Sequence, residues 1–96
     1  MDSRYEKPAM ITFNKLIQKL KANGKRFVGQ YNPKNHQTLI YNRQHPSEWA
    51  RVTENEVGYY ATRFMDKSEA ELIKTYAHTP YLWRDLKHAK ELKRLG

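Results

Sequence analysis

The chain has no cysteine, and only four glycines and four prolines among its 96 residues. Without thiols, disulfide staples, zinc–thiolate sites and cysteine nucleophiles are all excluded. The scattered glycines supply neither a phosphate-cradling loop nor a Gly-x-Ser-x-Gly elbow. No apolar run reaches the length of a membrane-crossing helix, and the opening Met1–Pro8 stretch lacks the apolar segment of a signal peptide. These absences lead to the expectation of a soluble cytoplasmic protein without a membrane partner, in the host cytoplasm if the chain is viral. They also leave room for no more than one domain of this length.

Charge of one sign is scarce as well. Ten Asp and Glu face eighteen Lys and Arg, for a net charge of +8. Residues 1–43 carry +7, residues 44–80 carry −2 and residues 81–96 carry +3. Basic ends around a mildly acidic middle favour a polyanion or an acidic partner surface. Seven tyrosines and two tryptophans add more aromatic surface than solubility requires.

The fold class expected from periodicity is α+β: an N-terminal helix, an antiparallel β-hairpin, then a cluster of three or four short helices. Residues 1–7 read as a polar, flexible tail before a single domain over 8–96, divided into a basic helix–hairpin unit (8–43) and a helical part (44–96). Met10, Phe13, Leu16, Ile17 and Leu20 recur on one face of a helix from Pro8 to about Ala22, closed by Asn23-Gly24. Lys25–Tyr31 and Gln37–Tyr41 read as two strands around an Asn32-Pro33-Lys34-Asn35 turn. Lys34 falls at the tip, and Lys25, Arg26 and Arg43 near the base. Residues 44–52 suit either a short helix opened by Pro46-Ser47-Glu48, the preferred reading, or a third strand in which Trp49, Arg51 and Thr53 alternate with Ala50 and Val52. Thr53-x-x-Glu56 and Ser68-x-x-Glu71 have capping-box spacing ahead of apolar stripes, and Thr79-Pro80 opens a last helix to Leu95.

Chemistry is sparse in this pattern. His36, His45, His78 and His88 form no i, i+3 or i, i+4 pair with one another, so no metal and no cofactor is expected. Ser3, Ser47 and Ser68 lie in the tail or at helix starts, where hydroxyls cap backbone N–H groups. What remains is basic residues interleaved with aromatics. Lys15, Lys19, Lys25, Arg26, Lys34 and Arg43 come from the helix–hairpin unit; Tyr81, Trp83, Arg84, Lys87, Lys90 and Arg94 come from the last helix. Tyr59 joins them, because two adjacent tyrosines on a helix cannot both face one core. Cations neutralise phosphates, and aromatic faces stack on bases or anchor a protein partner.

Two family resemblances accompany this reading. Leu16–Gly24, followed by a hairpin carrying His36, resembles the opening of HicA-type mRNA interferases. In that family the catalytic histidine follows Gly-Ser, whereas His36 follows Lys34-Asn35. The order helix, hairpin, helix is similar in topology to double-stranded-RNA-binding domains if residues 44–52 form a third strand, but the Gly-Pro-x-His loop and basic helix start are missing. The expected function is a small non-enzymatic binding protein of the phage or mobile-element type. It would engage and modulate a host nucleic-acid-processing enzyme of recombination, defence or transcription, nucleic acid itself, or both. Direct sequence-nonspecific DNA or RNA binding is the alternative, and a metal-independent, HicA-like RNA-cleaving toxin a further one.

Overall fold

A computed structural model describes residues 10–80 and 83–84. Two helices, α1 (Phe13–Lys21) and α2 (Lys67–Ala77), enclose four strands: β1 (Phe27–Asn32), β2 (Gln37–Asn42), β3 (His45–Thr53) and β4 (Tyr60–Arg63). The strands form one antiparallel sheet in the order β1-β2-β3-β4, a meander in which every neighbour in space is a neighbour in sequence. Among the described residues, no helix is long and apolar enough to cross a membrane.

The first helix is shorter than its periodicity suggests. Thr12 is extended and its hydroxyl accepts the Lys15 N–H, so the helix begins at Phe13. Ile11 is held outside it by an N–H donated to Thr79 Oγ1 at 3.1 Å, and Met10 is exposed. Phe13, Leu16, Ile17 and Leu20 form its buried face, and Gly24 ends the turn at φ +80°, a conformation that costs glycine least. A second glycine is required for packing. A Cβ at Gly29 would lie 2.4 Å from Phe13 Cζ, so α1 reaches β1 only because that position has no side chain. Phe13 also meets Tyr76 of α2 edge to face at 6.1 Å.

The expected helical cluster is replaced by sheet. Residues 45–53 form β3, pairing Tyr41 with Trp49, Ile40 with Ala50 and Thr38 with Val52. The helix-start signal of Pro46-Ser47-Glu48 instead marks a register shift beside Tyr41 and Asn42. A bulge tolerates the missing proline donor where a regular ladder would not. Residues 57–65 are not helical either: Gly58 and Phe64 have φ +87° and +57°, and Tyr60–Arg63 pairs with Val52–Trp49. Neither expected capping box forms: Thr53 ends β3 with Glu56 exposed in the loop after it, and the box that opens α2 is Asp66 with Glu69 rather than Ser68 with Glu71. The third-strand reading therefore holds, with a fourth strand added before α2. The expected helix over 79–95 lies outside the described residues apart from Thr79, Pro80, Trp83 and Arg84.

One side of the sheet is covered by both helices. Phe27, Tyr31, Ile40, Ala50 and Val52 point into the core with the apolar faces of α1 and α2. At one end of this core sits a buried polar knot. Glu54 accepts the Tyr76 hydroxyl at 2.8–3.0 Å, the Thr38 hydroxyl, and Arg84 Nη1 at 2.8 Å. Arg84, itself fully buried, also donates to the carbonyls of Thr79, Ala77, Thr53, Glu54 and Glu56, and its own carbonyl receives the first N–H of α1 at 2.6 Å. Burial and the adjacent Glu54 charge push the Tyr76 phenol well above the usual tyrosine range, so it stays a donor. Arg84→Met strands a carboxylate and the carbonyls of Thr79, Ala77, Thr53, Glu54 and Glu56 and is expected to cost about 3–5 kcal/mol, read by urea unfolding. In the Arg84→Met/Glu54→Leu double variant the loss is expected to fall well below the sum of the singles; strict additivity would show that the two groups do not depend on each other.

Candidate nucleic-acid interface

The sequence places too few acids on this chain, and folding hides half of those that can be located. Glu48, Glu54 and Glu69 are buried, which leaves Glu56, Asp66 and Glu71 as the exposed acids among the described residues. Exposed cations lie on both helices, on β3 and β4 and in the turn and flanking segments of the first hairpin: Lys15, Lys19 and Lys21 on α1, Arg26, Lys34 and Arg43 around the hairpin, Arg51 and Arg63 on the sheet, Lys67 and Lys74 on α2. Among the described residues only Lys25 and Arg84 form ion pairs. Three acids are thus buried with two cations, so ten exposed cations stand against three exposed acids among the described residues.

The cations at the hairpin base converge. Arg43 N–H bonds the Arg26 carbonyl at 2.8 Å, clamping the open end of the hairpin. An open groove beside it is walled by Lys21, Lys25, Arg26 and Arg43 over the apolar floor of Phe27 and Val28. Lys25 is the fixed member. Its ammonium meets Glu48 at 2.8 Å, Glu69 at 2.9 Å and Asp66 at 3.6 Å, while Asn42 and Asn23 donate to Glu48 and Glu69. The hydrogen bonds from Lys25 to Glu48 and Glu69 hold that ammonium well above the ordinary lysine range. Burial pushes the Glu48 carboxyl up, but the Lys25 hydrogen bond and charge, with Asn42, bring it below its ordinary value. Asp66 is lowered by the Glu69 backbone N–H and the Ser68 hydroxyl of the α2 cap.

The side of the sheet turned away from α1 and α2 has its own pattern, with Val28, Tyr41 and Trp49 half-buried in it. By strand alternation Val28, Tyr41, Trp49 and Arg63 stand in one cross-strand row, and Gln30, Leu39, Arg51 and Ala61 in the next. The Arg51 guanidinium lies 5.1 Å over the Trp49 ring, and Gln30 reaches the Tyr41 hydroxyl at 3.5 Å. Beyond the row Phe64 is 70% exposed in a left-handed backbone conformation, with Arg63 5.0 Å over its ring.

The residues singled out in the sequence divide sharply in this arrangement. Arg26 and Arg43 meet at the groove, Lys15 and Lys19 line the outer side of α1, and Lys34 sits in the β1–β2 turn. Tyr59 and Trp83 are 60% and 63% exposed. Arg84, expected on a binding face, is instead buried in the Glu54 knot, and Lys25 is tied into the carboxylate cluster. Tyr81, Lys87, Lys90 and Arg94 lie outside the described residues. His36, the histidine of the interferase resemblance, is exposed in the hairpin turn at φ +56°, its Nδ1 3.4 Å from the Tyr31 hydroxyl. Sequence reasoning missed Lys21, Tyr41, Trp49, Arg51 and Arg63 as site residues. The available signal was the alternation of Trp49, Arg51 and Thr53 with Ala50 and Val52. The chain matches no protein-family model, no curated protein and no solved structure.

The Lys25 cluster sets a test of pH dependence. Carboxyls held low in the fold contribute stability above their unfolded values, about 4, and that stability is lost as pH falls through the lower folded values. Lys25→Met leaves Glu48 and Glu69 buried without their cation, so it is expected to destabilise by about 1–3 kcal/mol at pH 7. The Glu48 carboxyl, no longer held low by Lys25, then favours protonation, and the gap to the parent is expected to narrow as pH falls from 7 towards 4. Urea melts across that range measure it; a gap that stays constant would show that the carboxylates do not depend on Lys25.

Proposed function

We propose that this chain is a small non-enzymatic protein that binds nucleic acid through its phosphates, without base-specific readout. The observation that carries the reading is the sorting of charge. Three acids are buried, while ten exposed cations face three exposed acids among the described residues. A rigid hairpin base and one helix present the densest of these cations around a groove. That is the arrangement that neutralises a phosphate backbone and releases its counterions. A host DNA- or RNA-processing complex is then reached through the nucleic acid it holds.

A second reading, docking on a protein of that machinery, is favoured by one set of observations. Tyr59, Phe64 and Trp83 are each more than half exposed, and large exposed aromatics with neighbouring arginine are frequent interface anchors. It predicts a stoichiometric protein complex that survives nuclease treatment.

Salt titration separates the two. With about five phosphate contacts, the log–log slope of affinity against salt is expected near −4. Arg26→Ala/Arg43→Ala is expected to remove about two contacts and flatten the slope by about 1.5–2. Binding that is tight and indifferent to salt would overturn the phosphate reading.

A further inference from the structure

We infer that the face of the sheet turned away from α1 and α2 is a stacking platform for a single nucleic-acid strand, with the half-buried Tyr41 and Trp49 taking the bases and Arg51, Arg63 and the groove arginines taking the phosphates. This deepens the phosphate-binding reading and rests on it.

Four observations converge on this face. The outward positions of the strands hold no Asp or Glu: Val28, Gln30, Leu39, Tyr41, Trp49, Arg51, Ala61 and Arg63 alternate with the buried set. Anionic ligands therefore meet no repulsion there. The two rings stand on adjacent strands as direct cross-strand partners, so both belong to the same side of the sheet. The row from Val28 to Arg63 crosses three inter-strand steps, about 14 Å, with its two rings on neighbouring strands, so it takes one base per ring.

The row also has cationic ends. Arg63 closes it at β4, and at β1 Val28 is both the last residue of the row and part of the floor of the Lys21–Arg26–Arg43 groove. A strand lying along the row is thus flanked by cations at both ends without leaving the surface. Arg51 is already parked over Trp49, where its guanidinium can exchange the indole for a phosphate when a base takes the ring. Duplex bases are stacked on each other and offer these rings nothing, so the platform selects single strands. Every base has a π-face, so it does so without regard to sequence.

The experiment uses fluorescein-labelled dT12 and rU12, and a hairpin duplex of equal phosphate number, at fixed salt. Trp83→Phe leaves Trp49 as the sole tryptophan. Its emission is expected to quench on adding either single strand and to change little with the duplex. Trp49→Leu and Tyr41→Leu are each expected to weaken single-strand binding about five- to hundredfold with the salt slope unchanged. Arg26→Ala/Arg43→Ala weakens all three ligands and flattens the slope. Single-strand binding that leaves Trp49 emission unaltered overturns the platform while the phosphate reading stands, and so does a folded Trp49→Leu that binds like the parent. The quenching arm requires no change at Trp49, so a leucine variant that fails to fold does not protect the proposal. Failure to bind any of the three ligands at low salt overturns both readings and leaves the exposed aromatics to a protein partner.

Discussion

The fold depends on a single guanidinium. Arg84 joins the loop after β3, the end of α2 and the start of α1 through the Glu54 carboxylate, five carbonyls and its own carbonyl oxygen. A planar cation with five donors can satisfy that many acceptors in one place, which lysine cannot. Its partner Glu54 is in turn shared with Tyr76 and Thr38, so two strands and both helices are registered against one carboxylate. A knot of this kind is worth little as a source of net stability, because desolvating two charges offsets most of their attraction. Its effect is on alternatives: a slipped helix or strand would leave a buried charge without its partner.

The same economy shapes the surface. Glu54 is consumed by Arg84, and Glu48 and Glu69 by Lys25, so the interior takes up carboxylates at the ratio of two or one to each cation. What the core absorbs as structure, the exterior loses as balancing charge. The basic exterior follows mainly from the excess of lysine and arginine, to which the polar interior, three carboxylates on two cations, adds one unit. The helix face, the groove and the outer face of the sheet are consequently all positive, with the aromatic side chains confined mostly to the sheet and its β4 edge.

Much of the first half was legible. The apolar face of α1, the Gly24 cap, both strands of the hairpin and the grouping of Arg26 with Arg43 all follow from local spacing, and local spacing is what decides them. The second half was misread for a physical reason. Trp49, Ala50 and Val52, and likewise Val57, Tyr60, Ala61 and Phe64, fit a helical step as well as an extended one over so short a run. The choice falls to a partner: β2 presents an unpaired ladder, and only a strand can satisfy it. Pro46 pointed towards a helix start because proline suits that position, yet it suits a bulge equally. Arg84 was assigned to a binding face because it sits among cations in sequence; the carboxylate that claims it lies thirty residues earlier, where no periodicity reveals it. The outer sheet face was missed with it, since its row of side chains exists only once four strands are in register.

The meander has a consequence for how the chain assembles. Each sheet contact joins consecutive strands, so the hairpins can close over short loops at small entropic cost. The contacts that bring the ends together, Ile11 with Thr79 and Phe13 with Arg84, close loops of about seventy residues and gain from a sheet already formed. The nascent sheet would therefore exist before its helical cover is locked, with the future core side transiently wet. Its opposite side, carrying arginines and no carboxylate, repels a second copy of itself through that interval, a safeguard against edge-to-edge or face-to-face association.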